Sequence, residues 1–225
     1  MNQAIVESSG GVTLVAGGPV TRRDLALALR RAPVLVAADG GADRALAAGH
    51  LPQAVIGDLD SLTPAARKAV GKARLHRVAE QETTDFDKAL RHIAAPFVLA
   101  LGVLGGRLDH ELAVLNALVR STRRCLLIGA QDVVFAAPAG VDITLGLKPG
   151  DRLSLFPMAP VAGHSRGLRW PIAGLHFAPD GGIGTSNAAT DGPVSLHLDA
   201  PGMVVILPRA RLDAALAALI RTPDR

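Results

Sequence analysis

Four short runs in the N-terminal part of the chain hold no polar side chain at all: residues 34–38, 54–56, 97–101 and 125–128. A strand with one wet face alternates apolar and polar residues, so a run that is apolar throughout needs cover on both faces. Two further short runs, 12–16 and 133–136, flank them. Between the runs lie 21–31, 41–48, 64–71, 84–94 and 109–121, each with apolar residues near helical spacing. This alternation predicts an α/β domain with a parallel, Rossmann-like sheet and helices on both faces.

From about residue 138 the character changes. Short alternating runs follow at 142–145, 152–156, 168–172, 185–187, 194–198 and 203–207. Turn signals such as Lys148-Pro149-Gly150-Asp151 and Pro179-Asp180-Gly181-Gly182 separate them. That pattern predicts an all-β C-terminal sandwich. A last helix is expected over 209–221, with Leu212, Leu216, Leu219 and Ile220 on one face. The expected domains are 1–137, α/β and catalytic, and 138–225, all-β with a C-terminal helix.

Composition narrows the partners. The 225 residues are 49% hydrophobic and 20% charged, a globular balance. Net charge is +4, scattered mostly over arginines, and aromatics make up 3% with no tyrosine. With no basic tract and few rings for base stacking, nucleic acid is not expected as a partner. An anionic small molecule suits the chain better. The single cysteine, Cys125, lies inside an apolar run and reads as an inert core thiol, which fits a reducing compartment. The first residues lack the pattern of a signal peptide. The longest uncharged stretch, 93–106, is too short to span a bilayer. A cytoplasmic protein with no membrane partner is expected.

The chemistry-bearing residues cluster where strands end, the place where open parallel sheets bind ligands. The run 34–38 leads into Asp39-Gly40-Gly41, and 54–56 into Gly57-Asp58-Leu59-Asp60-Ser61. In extended backbone Asp58 and Asp60 would point to one side and converge on a hard dication such as Mg²⁺. An isolated pair of this kind reads equally well as a solvated turn. Thr84 and Asp87 have capping-box spacing, so a helix begins there, with Asp85 and Lys88 on one face. A carboxylate for metal beside an ammonium for phosphate suits phosphoryl transfer; a plain surface ion pair is the simpler alternative. After 97–101 comes Gly105-Gly106-Arg107-Leu108-Asp109-His110. Arg107 offers a fork for phosphate oxygens. Asp109 reads either as a helix cap or as a ligand group, with Asn116 on the same helical face, and His110 reads as structural.

Taken in order, these motifs resemble the thiamine pyrophosphokinase family. In the second half, Gly167-Leu168-Arg169-Trp170 and Thr185-Ser186-Asn187 are similar to further signatures of that family. The resemblance runs to about Leu207 and implies Mg²⁺-dependent transfer of the pyrophosphoryl group of ATP to the hydroxyl of thiamine, giving thiamine diphosphate and AMP. It implies a homodimer with the active site at the subunit interface. By position, Asp58, Asp60 and Asp85 would hold the metal, with Asp39 beside them. Gln81 and Arg107 would join Asp39 and Asp85 in catalysis, either aspartate accepting the hydroxyl proton. Gly40, Gly41, Thr84, Lys88, Gly105, Gly106, Asp109 and Asn116 would serve ATP and its phosphates. Ser186, Asn187 and Trp170 would hold thiamine.

Two features depart from the family pattern. Asp199-Ala200-Pro201 runs into Gly202-Met203-Val204, with no aromatic where animal and yeast members stack a tryptophan on thiamine. The helix over 209–221 is an addition. Two other readings compete. A D-x-D phosphohydrolase would use one aspartate as nucleophile and release phosphate, but expects its pair nearer the N-terminus. A non-catalytic nucleotide- or thiamine-binding module would not need so many metal-suited acids.

Overall fold

The computed structural model describes residues 3–80 and 82–222. The chain divides into two compact units, the first running up to Ala117 with Leu127–Gly129, the second comprising Leu118–Leu126 and the residues from Ala130.

The first unit opens with β1 (Val6–Glu7), β2 (Val12–Val15), α1 (Arg22–Leu29), β3 (Val34–Ala38), α2 (Gly41–Ala47), β4 (Ala54–Gly57) and α3 (Pro64–Val70). It continues through β5 (Leu75–Arg77), α4 (Asp85–Arg91), β6 (Ile93–Ala94), β7 (Val98–Leu101), α5 (Leu108–Arg120) and β8 (Cys125–Ile128), the last two extending into the second unit. Strands β7, β2, β3, β4 and β5 lie side by side in that order, every pair parallel. Strands β2, β3, β4 and β7 are buried at nearly every position, as their largely apolar sequences require. Thr13, the polar residue of β2, is buried but donates its hydroxyl to the Ala32 carbonyl at 2.6 Å, so no polar group is orphaned there.

Helix starts follow local chemistry. Thr21 caps α1 in a full capping box with Asp24. Thr63 caps α3 ahead of Pro64, and Thr84 caps α4 by accepting from the Asp87 N–H. Helix α2 begins at Gly41 for a steric reason: a Cβ there would stand 2.0 Å from the Val15 carbonyl oxygen. The helix therefore enters directly against the end of β2, a position that places its N-terminus at the site.

Sheet order explains where a ligand can sit. From β2 the chain runs to β3, β4 and β5 on one side, then returns to place β7 on the other. The connections after β2 and β7 part in opposite directions and leave a crevice at their carboxyl ends.

The second unit contains β9 (Asp132–Ala136), β10 (Asp142–Leu145), β11 (Arg152–Pro157), β12 (Val161–Arg166), β13 (His176–Phe177), β14 (Gly184–Ala188), β15 (Val194–Leu198), β16 (Met203–Pro208) and α6 (Leu212–Arg221). Strands β14, β11, β16 and β9 pair antiparallel in that order, and β10, β15, β12 and β13 likewise. Helix α6 packs on β10, β9 and β16. It buries Leu212, Leu216 and Leu219, each a contribution of about 1.5–3 kcal/mol. Ile220 is not on that face; it is 45% exposed.

The expected strand over 168–172 does not form. Leu168 makes a single bridge to Ala189, and the backbone then bends at Arg169 and Trp170. The strand in that region is β12, whose sequence Val-Ala-Gly-His-Ser-Arg shows no apolar alternation. Its register comes from β15, against which Gly163 packs so closely that a Cβ would lie 2.1 Å from the His197 carbonyl oxygen.

Candidate active site

At the crevice between β2 and β7 lies a cleft of about 740 Å³ within the first unit. Its floor is backbone. Gly17 and Gly18 follow β2, and Gly102 and Val103 follow β7. The Gly18 N–H donates to the Gly102 carbonyl at 2.9 Å. A Cβ on Gly18 would meet that oxygen at 2.5 Å, so the two connections touch only because this residue is glycine.

Asp39, Gly40, Thr84, Asp85, Gly106 and Arg107, all singled out from sequence, line this cleft. Asp39 is buried, at φ +39°, just past the end of β3. Its Oδ2 accepts from the Ser61 N–H at 3.0 Å, while Oδ1 is buried with no hydrogen-bond partner among the described residues. Carboxylate oxygens of Asp39, Asp58 and Asp60 all lie within 4.8 Å of one another. Burial, with the charges of Asp85 and Asp58, pushes Asp39 up to about 6 against the opposing Ser61 hydrogen bonds.

Asp58 and Asp60 converge by a different route from the one expected. Strand β4 ends at Gly57, and Leu59 adopts φ +67°, a conformation costly for a branched side chain. The segment is a turn and not extended backbone, with the Asp60 N–H bonded to Asp58 Oδ1 at 3.2 Å. The turn does what alternation would not, because it folds both carboxylates back toward Asp39.

A built-in cation partly balances these acids. Lys88, 2% exposed, places Nζ 3.2 Å from Asp58 Oδ2 and 3.1 Å from Asp85 Oδ1. Burial works to raise Asp58, but the Asp60 N–H and the Lys88 ammonium outweigh it and hold the carboxyl below the usual range. Burial likewise works to lower Lys88, and the two carboxylates prevail and raise it. Gly57 is the packing point of the group: a Cβ there would lie 3.0 Å from both Asp39 Cβ and Asp85 Oδ1.

The remaining residues divide. Gly41 packs on β2 and leaves the cleft wall to Gly40. Arg107 is exposed and engaged by Asp109, at 2.6 Å from Nη2 and 3.1 Å from Nε. Asn116 is exposed, two turns farther along α5, and does not line the cleft. Gln81 lies outside the described residues. Cys125 is buried, and burial pushes its thiol up, as an inert core residue requires.

In the second unit, Asn187 accepts at Oδ1 from the N–H groups of Trp170 and Ala188 at 3.2 and 2.9 Å, and donates from Nδ2 to the Trp170 carbonyl at 2.7 Å. It thereby fixes the Gly167–Trp170 turn. Ser186 is exposed at φ +59°, with its N–H on Ser154 Oγ. Trp170 is 54% exposed, and the Arg169 guanidinium lies 4.9 Å from its ring centroid.

Sequence reasoning missed three contributors: the Gly17-Gly18 turn, Ser61 and Glu111. The first had a visible signal, since Gly17-Gly18 directly follows the apolar run that ends at Ala16. Glu111 gave no local signal. Its Oε1 accepts from the N–H groups of Gly105 and Gly106 at 3.0 and 2.9 Å.

Comparison with known proteins decides the kinship. The catalytic domain of thiamin pyrophosphokinase, as a family, matches residues 25–128. The chain is 30% identical over 191 residues to thiamine pyrophosphokinase 3 of Oryza sativa subsp. japonica, covering 70% of this chain and 71% of that one. The chain belongs to the thiamine pyrophosphokinase family. A Bacillus subtilis thiamine pyrophosphokinase is 32% identical over 139 residues, 57% of this chain and 65% of that one. The fold of thiamin pyrophosphokinase from Candida albicans superposes with a TM-score of 0.75 at 16% identity, covering 90% of this chain and 92% of that one. The family match spans Asp39, the Asp58 turn, α4 and the Gly105-Gly106-Arg107 turn, so the acids of the cleft all fall inside it. No helix among the described residues is long and apolar enough to cross a membrane.

Proposed function

We infer that this protein is a thiamine diphosphokinase, transferring the pyrophosphoryl group of ATP to the hydroxyl of thiamine to give thiamine diphosphate and AMP. The observation that carries the reading is the convergence of Asp39, Asp58 and Asp60 with Lys88 beside a cleft at the sheet's switch point. The hydroxyl oxygen of thiamine bonds to the β-phosphorus, the bond from that phosphorus to the α,β-bridging oxygen breaks, and AMP leaves with the bridging oxygen. The hydroxyl proton passes to Asp39 or Asp85, both of which face the cleft.

The donor set fits Mg²⁺. Three carboxylates crowd together, and one buried oxygen of Asp39 has no donor among the described residues, which is the arrangement a hard dication with oxygen ligands relieves. Asp39, Asp58 and Asp60 would hold the ion, with Asp85 completing the acidic wall. When bound, Mg²⁺ supplies charge neutralisation on the phosphate oxygens and the leaving group. The chain's own groups do the rest. Lys88 fixes the spacing of Asp58 and Asp85, and the glycine turns let phosphates approach the backbone. Arg107 turns from Asp109 to the phosphates, and Gly40, Gly106 and Thr84 shape the wall around them. Gln81 is assigned to the substrates by the family resemblance.

For thiamine we assign Ser186 and Trp170, with Asn187 acting through the backbone it pins. A thiazolium stacked on Trp170 would take the place of Arg169. We read the second unit as a β-sandwich and the first as Rossmann-like, and place the reaction in a cytoplasmic homodimer with the active site at the subunit interface. Purified protein with ATP, Mg²⁺ and thiamine tests the reading by chromatography of nucleotides and thiamine esters. Equal amounts of AMP and thiamine diphosphate are expected; ADP with thiamine monophosphate, or thiamine-independent phosphate release, overturns it.

A further inference from the structure

The sheet made by β10, β15, β12 and β13 sends its apolar residues one way. Ile143, Leu145, Val194, Leu196 and Leu198 are all buried. The residues between them point to the opposite face, which carries a row drawn from three adjacent strands. Asp142 stands directly opposite His197, and His197 directly opposite His164. Side chains at opposed positions start only about 4.5–5.5 Å apart, so three such residues in a row can reach one point above the middle strand.

They do reach it. One donor atom from each of Asp142, His164 and His197 lies within 4.8 Å of the other two. His197 Nδ1 and Asp142 Oδ1 are 2.9 Å apart, and the two imidazoles stack at 13° with centroids 4.9 Å apart. A tetrahedral ion with bonds of roughly 2.0 Å spaces its ligand atoms by about 3.3 Å. The Asp142–His197 contact is already close to such an edge, and His164 offers a ring nitrogen within 4.8 Å of both partners. The scaffold is stiff, because β10 and β12 each pair with β15 over four positions. Gly163 holds β12 tight against β15 immediately beside His164.

We propose that Asp142, His164 and His197 form a second metal site, for a divalent cation of the zinc class, with its open position facing solvent. Two imidazoles and one carboxylate are borderline donors that select such ions. The acidic cluster of the first unit offers oxygen alone and suits Mg²⁺. The two sites therefore sort ions by donor chemistry, and the histidine row has no part in the transfer reaction. Its bound ion ties three strands of the second unit together and binds only the folded state, which raises thermal stability.

The test uses the full chain, freed of metal by dialysis against a chelator and then held in excess Mg²⁺. Zn²⁺ is titrated calorimetrically and against a chromogenic chelator, and Co²⁺ is titrated by its visible absorption. One equivalent of Zn²⁺ is expected to bind in the presence of Mg²⁺ and to raise the melting temperature. His164→Ala and His197→Ala should each weaken binding by at least about 100-fold, the upper end of what loss of a supporting partner alone costs. Asp142→Asn should weaken it about tenfold, and Asp58→Asn should leave it unchanged. His164 is exposed, so its variant keeps the test decisive even where His197→Ala fails to fold; thiamine diphosphate formation by His164→Ala should equal that of the parent. Absence of saturable Zn²⁺ binding, binding indifferent to both histidines, or binding lost with Asp58→Asn overturns the proposal.

Discussion

The Lys88 ammonium stands 3.2 Å from Asp58 Oδ2, joining helix α4 to the turn that follows β4. The same nitrogen bonds Asp85 one helical turn back. Lys88 is thus the buried counter-charge around which two acids of the cleft are spaced, and without it both carboxylates face Asp39 uncompensated.

Lys88→Met keeps most of the apolar stem and removes the charge. Breaking a buried pair from one side costs about 3–5 kcal/mol, and the partial exposure of Asp58 and Asp85 reduces this to about 2–3 kcal/mol here. Turnover should fall at least about 100-fold, since the acids would separate by more than the tolerance of an aligned site. Denaturant unfolding and initial rates measure the two effects. A variant as stable and active as the parent would show that the ammonium is incidental.

Gly57→Ala addresses the same group without touching a charge. The added Cβ meets the Asp39 Cβ and the Asp85 carboxylate at 3.0 Å, tighter than ordinary packing allows. Asp85 is 31% exposed and can swing away, so the protein should fold while the site loosens. Gly57 also lies at φ +157°, where a side chain strains the backbone, and buried Asp39 cannot swing aside, so we expect a clearly lowered melting temperature and turnover lowered by about tenfold or more. Loss of folding, with no soluble protein, would mean that β4 and α4 cannot part at all.

What could be read from the sequence was whatever is local. Val34–Ala38 is apolar throughout and had to be a covered strand; Thr84 with Asp87 had to start a helix. The acids after β3 and β4 were visible for the same reason, as residues that follow strands. Long-range pairing hid the rest. Nothing in Val161–Arg166 marks a strand until β15 supplies its register. The convergence of Asp58 and Asp60 was legible, but not its cause, because a left-handed leucine has no sequence signature. Glu111 is one acid among many until the turn at Gly105 brings two N–H groups to it.

Asp151 supplies a pH-dependent contribution to stability away from the cleft. Its carboxylate accepts from the Lys148 N–H and pairs with Arg211 in the turn before α6. Burial works to raise it, but these two partners outweigh burial and hold it below the usual carboxylate range. A depressed folded pKa means the contribution is fully present above the unfolded value of about 3.9 and is lost as pH falls below that value. Asp151→Asn should cost about 1–2 kcal/mol at pH 7. The gap between variant and parent should shrink as pH is lowered from about 5 toward 3. Urea titrations across that range measure it, and a gap that stays constant would assign the effect to shape and not to charge.

On the proposed function, Glu111 competes with a phosphate oxygen for the turn after β7. Its Oε1 takes the N–H groups of both Gly105 and Gly106, and Gly106, Arg107 and Glu111 all line the cleft. Adjacent backbone N–H groups aimed at one point form an anion cup, and the Glu111 carboxylate fills it. If ATP binds as proposed, its triphosphate would displace this carboxylate or be repelled by it. Glu111→Ala empties the cup, so the KM for ATP should fall by about threefold to tenfold with kcat within about twofold, the pattern of a change in ground-state binding. Glu111→Gln keeps an acceptor and removes the charge, and should lie between the two. A KM that rises in both variants would reverse the reading, making Glu111 the brace that shapes the turn and not a competitor for it.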